Sequence, residues 1–245
     1  DGFGHGTHVA GTIAGEDKSG TWIGIAPKAQ LVVARIFDSN GESTREGILL
    51  SMQWMLDPDN DPKTADFPRV INNSWSDDEP FNDRNSDQEP FCIMVKSWRS
   101  QGIIPVFSAG NTGPKPGTIN LPAGCPEAYS VAATEQWDRS PWFSSMGPDN
   151  WKSGPLLKPE ISAPGFEIKS SIPRNDYEEM SGTSMAAPHV TGAFAILLQA
   201  DPQLKVDQAI TIFNQSAKDL GDVGQDTTFG FGRLDIFNAI QSIKL

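Results

Sequence analysis

Short apolar, β-branched runs that alternate with segments of helical period constrain this chain most. Leu31 to Phe37 (LVVARIF), Val70 to Asn73 (VINN) and Ile103 to Phe107 (IIPVF) read as buried strands, with Tyr129 to Ala133 (YSVAA) a weaker fourth. Thr44 to Leu56 and Phe91 to Gln101 read as helices between them. Strands without polar alternation need cover on both faces, and strand–helix–strand connections of this length make neighbouring strands parallel. The expected class is therefore α/β, with a mostly parallel sheet. Val190, Ala193, Phe194, Ala195, Ile196, Leu197 and Leu198 leave no polar face on the segment Val190 to Leu198, so that helix belongs inside the domain. Val206 to Ala217, after Asp201-Pro202, reads as a surface helix. Asp57 to Phe67 and Asp77 to Pro90 are too polar to pack and read as surface loops.

The 245 residues fit one domain, and 38% hydrophobic against 20% charged residues can build a sizeable core. A net charge of −12 argues against nucleic acid or an anionic membrane as partner. No apolar run approaches the roughly eighteen residues that a membrane span needs. Cys92 and Cys125 allow one internal bridge at most, or two buried thiols. The sequence opens on neither a signal peptide nor a Met, and a dense motif starts within five residues. This reads as a mature product or a fragment.

Three motifs carry chemistry. In Gly4-His5-Gly6-Thr7-His8-Val9-Ala10-Gly11, His5 and His8 share a helical face. They can be structural, or with His189 metal ligands, but the HExxH spacing is absent and no metal site is assigned. In Ser181-Gly182-Thr183-Ser184-Met185-Ala186-Ala187-Pro188-His189, small residues surround one serine just ahead of the apolar helix. Ser184 can be a helix cap, or a nucleophile favoured by free N–H groups and the positive end of the helix dipole. Pro188 is expected near the end of the first turn, where a missing N–H costs little. In Phe107-Ser108-Ala109-Gly110-Asn111-Thr112-Gly113, Asn111 follows a strand, where open parallel sheets place their sites. It can equally be a turn residue in a left-handed conformation.

Together the three motifs resemble the subtilisin-like serine proteases, the subtilase family (peptidase S8), in content and in chain order. The resemblance extends through Phe143 to Pro148, Lys158 to Gly165 and Gly230 to Arg233, and Val70 to Ser76 and Met94 to Arg99 resemble its bacillopeptidase F branch. It implies a three-layer subtilisin-like fold over residues 1–245, truncated at its N-terminus so that the N-terminal strands are missing. It implies a secreted serine endopeptidase acting through an acyl-enzyme on Ser184, with His5 as general base and Asn111 in the oxyanion hole. Ser74, Trp75 and Ser76 would pair with an extended polypeptide substrate, and Ser108, Ala109 and Gly110 would wall the pocket for the residue before the scissile bond. Trp75 can instead be a core residue. Cys92, at a helix start, and Cys125, before a strand near it, are expected to form a disulfide if the protein is secreted.

The departure from the family is a carboxylate. The family's catalytic aspartate lies tens of residues ahead of the histidine, whereas only four residues precede His5. Asp1 is too close to be that group and suits helix capping. The chain alone is therefore expected to be inactive, its partner being a missing N-terminal segment that carries the Asp. The rival reading is a non-catalytic scaffold or binding domain on the same fold. No cofactor is expected for the chemistry. Structural calcium is common in the family, and Asp57, Asp59 and Asp61 alternate as in a calcium loop, though Pro62 and Pro68 stand where an EF-hand has Gly and Glu. A solvated acidic loop is the other reading.

Overall fold

The computed structural model describes residues 1–16, 20, 22–77, 85 and 87–243. In chain order it contains α1 (His5–Ala14), α2 (Arg45–Trp54), β1 (Val70–Asn73), α3 (Pro90–Ser100), β2 (Ile104–Ser108) and β3 (Tyr129–Thr134). Next come β4 (Asp149–Trp151), β5 (Gly154–Leu156), β6 (Ile161–Pro164), β7 (Ile168–Ile172) and β8 (Asp176–Met180). The chain finishes with α4 (Thr183–Ala200), α5 (Val206–Ser216) and α6 (Ile236–Ser242).

Four strands form one parallel sheet in the order β1-β2-β3-β6, with Val70 opposite Ile104, Val106 opposite Tyr129 and Val131 opposite Ile161. Every residue of β2 and β3 is buried. Alternation along β2 sorts the layers. Ile104 and Val106 join Val131, Ala133 and Ile161 against α4, α5 and α6. Phe107 joins Ile71 and the apolar faces of α2 and α3 on the other side. The α/β class is thus realised as a sheet covered on both faces, and β3, weak in the sequence, is one of its two inner strands.

The helices start where their residues cap them. Thr44 Oγ1 accepts the Gly47 N–H at 3.1 Å ahead of α2, and Glu89 with Pro90 opens α3. The bridge Cys92–Cys125, with Cα atoms 5.2 Å apart, ties α3 to the loop before β3. β6, the hairpin β7–β8, the ribbon β4–β5 and α6 carry too few consecutive apolar residues to stand out in the sequence.

Two expectations need correction. Leu31 to Phe37 pairs with no strand among the described residues; it runs without regular structure, and Val33 is 71% exposed. Its pattern suits a strand, but β1 bonds to β2 on one side only and brings no second neighbour into register. The acidic stretch from Asp77 to Pro90 is not all surface. Residues 78–84 and 86 lie outside the described residues, but Glu89 is fully buried and Arg45 forms ion pairs with both Asp77 and Glu89, the latter at 2.6 Å. A guanidinium between two carboxylates makes that burial tolerable.

Candidate active site

β1 and β2 deliver their C-terminal ends to the N-terminus of α4. Ser184 is the second residue of that helix, so its N–H has no carbonyl within the helix to bond. The neighbouring donors are taken: Thr183 N–H donates to Asn111 Oδ1 at 2.9 Å and Met185 N–H to Gly182 O at 3.0 Å. Ser184 N–H has no partner among the described residues. Thr183 Oγ1 stands 3.0 Å from Asn111 Oδ1 and accepts the Gly110 N–H at 3.2 Å. With Oδ1 held by Thr183, the Asn111 amide has its Nδ2 donors left over. A Cβ on Gly182 would lie 3.5 Å from Asn111 Nδ2 and 3.7 Å from Ser184 N. The two free donors therefore border one small space that glycine leaves open.

The loop carrying Asn111 is rigid for local reasons. Gly110 has φ +116°, and a Cβ there would collide with Asn120 Oδ1. Ala109 donates to Val131 O at 3.0 Å and accepts from Asn120 N at 3.1 Å, while Gly110 O accepts from Ser145 N at 3.1 Å. Ser108, Ala109 and Gly110 are buried, with the backbone groups of Ala109 and Gly110 bonded internally.

His5 opens α1. The Asp1 carboxylate accepts from Phe3, Gly4 and Thr7 N–H and from Thr7 Oγ1, all within 3.1 Å, so it caps this helix. α1 packs against α4 and β7, and a Cβ on Gly11 would collide with the Ser171 hydroxyl. His5 has no hydrogen-bonding partner among the described residues. Burial lowers its pKa below 6.5, and nearby His8 pushes it the same way, so the imidazole is neutral at pH 7. His8 is fully buried; its Nε2 lies 2.9 Å from Ile168 O and 3.1 Å from Glu178 O. Carbonyls only accept, so this nitrogen carries the proton and cannot ligate a metal. His189 Nδ1 is occupied in the same way by Met185 O at 2.8 Å. The three histidines do not gather their nitrogens into one cluster; the group of possible metal ligands among the described residues is acidic.

Ser74, Trp75 and Ser76 follow β1, half-buried. Ser184 Oγ is 3.4 Å from Ser74 O, and Ser74 Oγ donates to Ser184 O at 2.8 Å. The Trp75 ring packs edge-on to Phe91 and Phe107, 5.4 and 5.9 Å between centroids, which makes its side chain part of the core. Pro188 needs a correction. It is the sixth residue of α4, one turn after Ser184, so its missing N–H leaves the Ser184 carbonyl without its helical donor.

The model of the subtilase family, peptidase S8, matches residues 1–232. The chain belongs to the subtilase family. It is 37% identical over 256 residues to bacillopeptidase F of Bacillus subtilis (strain 168), covering 99% of this chain and 17% of that protein. It is 32% identical over 243 residues to subtilisin DY of Bacillus licheniformis, covering 98% and 79%. It is also 32% identical over 233 residues to the minor extracellular protease Epr of Bacillus subtilis (strain 168), covering 95% and 32%. The chain thus spans about a sixth of bacillopeptidase F and most of subtilisin DY.

Within this subtilase, sequence reasoning missed Thr183, Asn120 and Ser145, which hold the Asn111 loop through contacts between distant segments. No local pattern marks such contacts. The carboxylates that gather are not the three that alternate in the sequence. Asp57, Asp59 and Asp66, not Asp61, each bring a carboxylate oxygen within 4.8 Å of the others. Asp57 Oδ1 and Asp66 Oδ1 are buried and have no hydrogen-bonding partner among the described residues.

Proposed function

We propose that this subtilase chain is the peptidase domain of a secreted serine endopeptidase. The observation that carries this reading is the pair of unclaimed donors, Ser184 N–H and Asn111 Nδ2, at the head of the helix that bears Ser184. Ser184 Oγ attacks the scissile carbonyl while neutral His5 takes its proton. The oxyanion is held by the two donors, and His5 passes the proton to the leaving amine as the acyl-enzyme forms. Water activated by His5 then releases the acyl group. This chemistry needs no cofactor. The substrate is an extended polypeptide lying along Ser74 to Ser76, with Ser108 to Gly110 as a wall beside the residue before the scissile bond.

No carboxylate bonds to His5 among the described residues. A groove lined by Ala34 and Ile36 of segment 31–37, by Ile71, Asn72, Asn73 and Trp75 at β1, by Ile48, Ser51, Met52 and Met55 at α2 and by Trp98 of α3 opens beside the edge of β1, which has no second partner strand among the described residues. An extended segment pairing with that edge would enter the sheet and could bring an aspartate to His5 Nδ1, which is how the domain would be completed. The disulfide supports an oxidising, extracellular location. Calcium is the structural ion that fits Asp57, Asp59 and Asp66, because hard oxygen ligands with uncompensated lone pairs suit it.

A fluorophosphonate probe tests the reading. It should label the complete gene product at Ser184, and Ser184→Ala should abolish both labelling and peptide hydrolysis. A folded protein that hydrolyses peptides after Ser184→Ala would overturn it.

A further inference from the structure

Pro188 leaves a gap in the hydrogen bonding of α4, and the structure fills it from outside the helix. The Ser184 carbonyl would normally accept the N–H of residue 188, but proline has none. Ser74 Oγ donates to it instead, at 2.8 Å. A carbonyl only accepts, so the single proton of Ser74 is committed there. Ser74 Oγ must then accept from its other neighbour, Asn72 Nδ2, at 3.0 Å. That fixes the orientation of the Asn72 amide and turns Oδ1 to Thr191 Oγ1, also at 3.0 Å, where the threonine hydroxyl is the only group able to donate. Thr191 is 6% exposed, so water hardly competes for this bond. Its hydroxyl also lies 3.2 Å from Ala187 O, but its one proton goes to Asn72 Oδ1, because two oxygens with no proton between them would otherwise face each other at 3.0 Å. The bonds run in one direction, from the third turn of α4, across the end of β1, and back to the first turn.

We propose that Asn72, Ser74 and Thr191 form a positioning relay that holds the Ser184 carbonyl in place of the hydrogen bond Pro188 cannot make. Helix carbonyls without a donor tilt outward and take their peptide plane with them. Here that plane joins Ser184 to Met185, so its tilt moves the Cα that carries both the N–H that must stay free and the Oγ that must face His5. The relay fixes the plane without using either group. It leaves Ser184 Oγ only a long 3.4 Å contact with Ser74 O. This rests on the reading of Ser184 as nucleophile; the relay bonds end on the Ser184 carbonyl, and the contact of its residues with a reacting atom is that of the Ser74 carbonyl with Ser184 Oγ.

Two measurements on the complete gene product test the relay. In peptide hydrolysis, Ser74→Ala and Thr191→Val should each lower kcat about tenfold with KM within about twofold, since a misplaced nucleophile slows chemistry more than binding. Thr191→Ser should retain wild-type kcat. Pro188→Ala, which returns an N–H to the helix, should recover most of the kcat lost in Ser74→Ala. In urea unfolding, Ser74→Ala and Pro188→Ala should be non-additive, the second offsetting the first. A folded Ser74→Ala protein with wild-type kcat, or one that Pro188→Ala fails to rescue, overturns the relay. Should Ser74→Ala not fold, Thr191→Val against Thr191→Ser decides. If wild-type protein is inert to the fluorophosphonate probe, the protease reading fails, while the unfolding cycle still reports whether the carbonyl changes donors; additivity there overturns the relay by itself.

Discussion

Asn111 shows how much one side chain's second hydrogen bond can decide. Thr183 holds Oδ1 and leaves the donor end of the amide unclaimed, a state that matters only when negative charge develops nearby. Asn111→Ala should therefore lower kcat by about 10²–10³ with little change in KM, a size taken over from subtilisin, a member of the same family. Steady-state kinetics check this, and an unchanged kcat in an active preparation removes Asn111 from the site. The histidines give a second prediction. Burial is the main cause that lowers the pKa of His5, His8 and His189 below 6.5. The unfolded chain thus takes up protons at a higher pH than the folded one. Their contribution to stability is complete above about pH 6.5 and is lost as pH falls through the folded values beneath it. Urea midpoints measured from pH 7.5 down to 5 should fall, and His8→Gln should flatten that slope. A midpoint independent of pH would contradict the assignment.

At the scale of elements, the sequence announced what local pattern can announce. β1, β2, α2, α3 and α5 stand within two residues of where periodicity puts them, because each carries a short apolar run or an apolar stripe. β6 was not found, since Ile161-Ser162-Ala163-Pro164 gains its burial from β3 rather than from its own composition. The site was legible in its two helices and one loop, where glycine and small residues crowd around Ser184, His5 and Asn111. It was illegible in Thr183, Asn120 and Ser145, whose roles exist only once the sheet has brought distant segments together. Segment 31–37 marks the same boundary: its sequence is that of a strand, but pairing is a property of two segments. A synthetic extended peptide that carries one aspartate and completes the sheet should order this segment. Hydrogen exchange on Leu31 to Phe37 and on Val70 to Asn73 should slow together when it binds, and unchanged exchange at β1 would refute the groove as its seat.

For the molecule as a whole, the bridge between Cys92 and Cys125 spans 33 residues and staples α3 to the approach to β3. Replacing both cysteines by alanine should cost about 2–4 kcal/mol in reversible unfolding, the usual effect of opening a loop of this length. Calcium should raise the thermal midpoint and a chelator lower it, with Asp57→Asn and Asp66→Asn removing the response; no shift with calcium would leave those carboxylates as a plain acidic loop. The edge of β1, unpaired among the described residues, has a colloidal consequence as well. A row of unpaired backbone groups beside an apolar groove is adhesive toward any extended chain, including another copy. Light scattering of the isolated chain should show association that rises with concentration and recedes when the edge is occupied. A strand seated on that edge would then also act as a solubiliser.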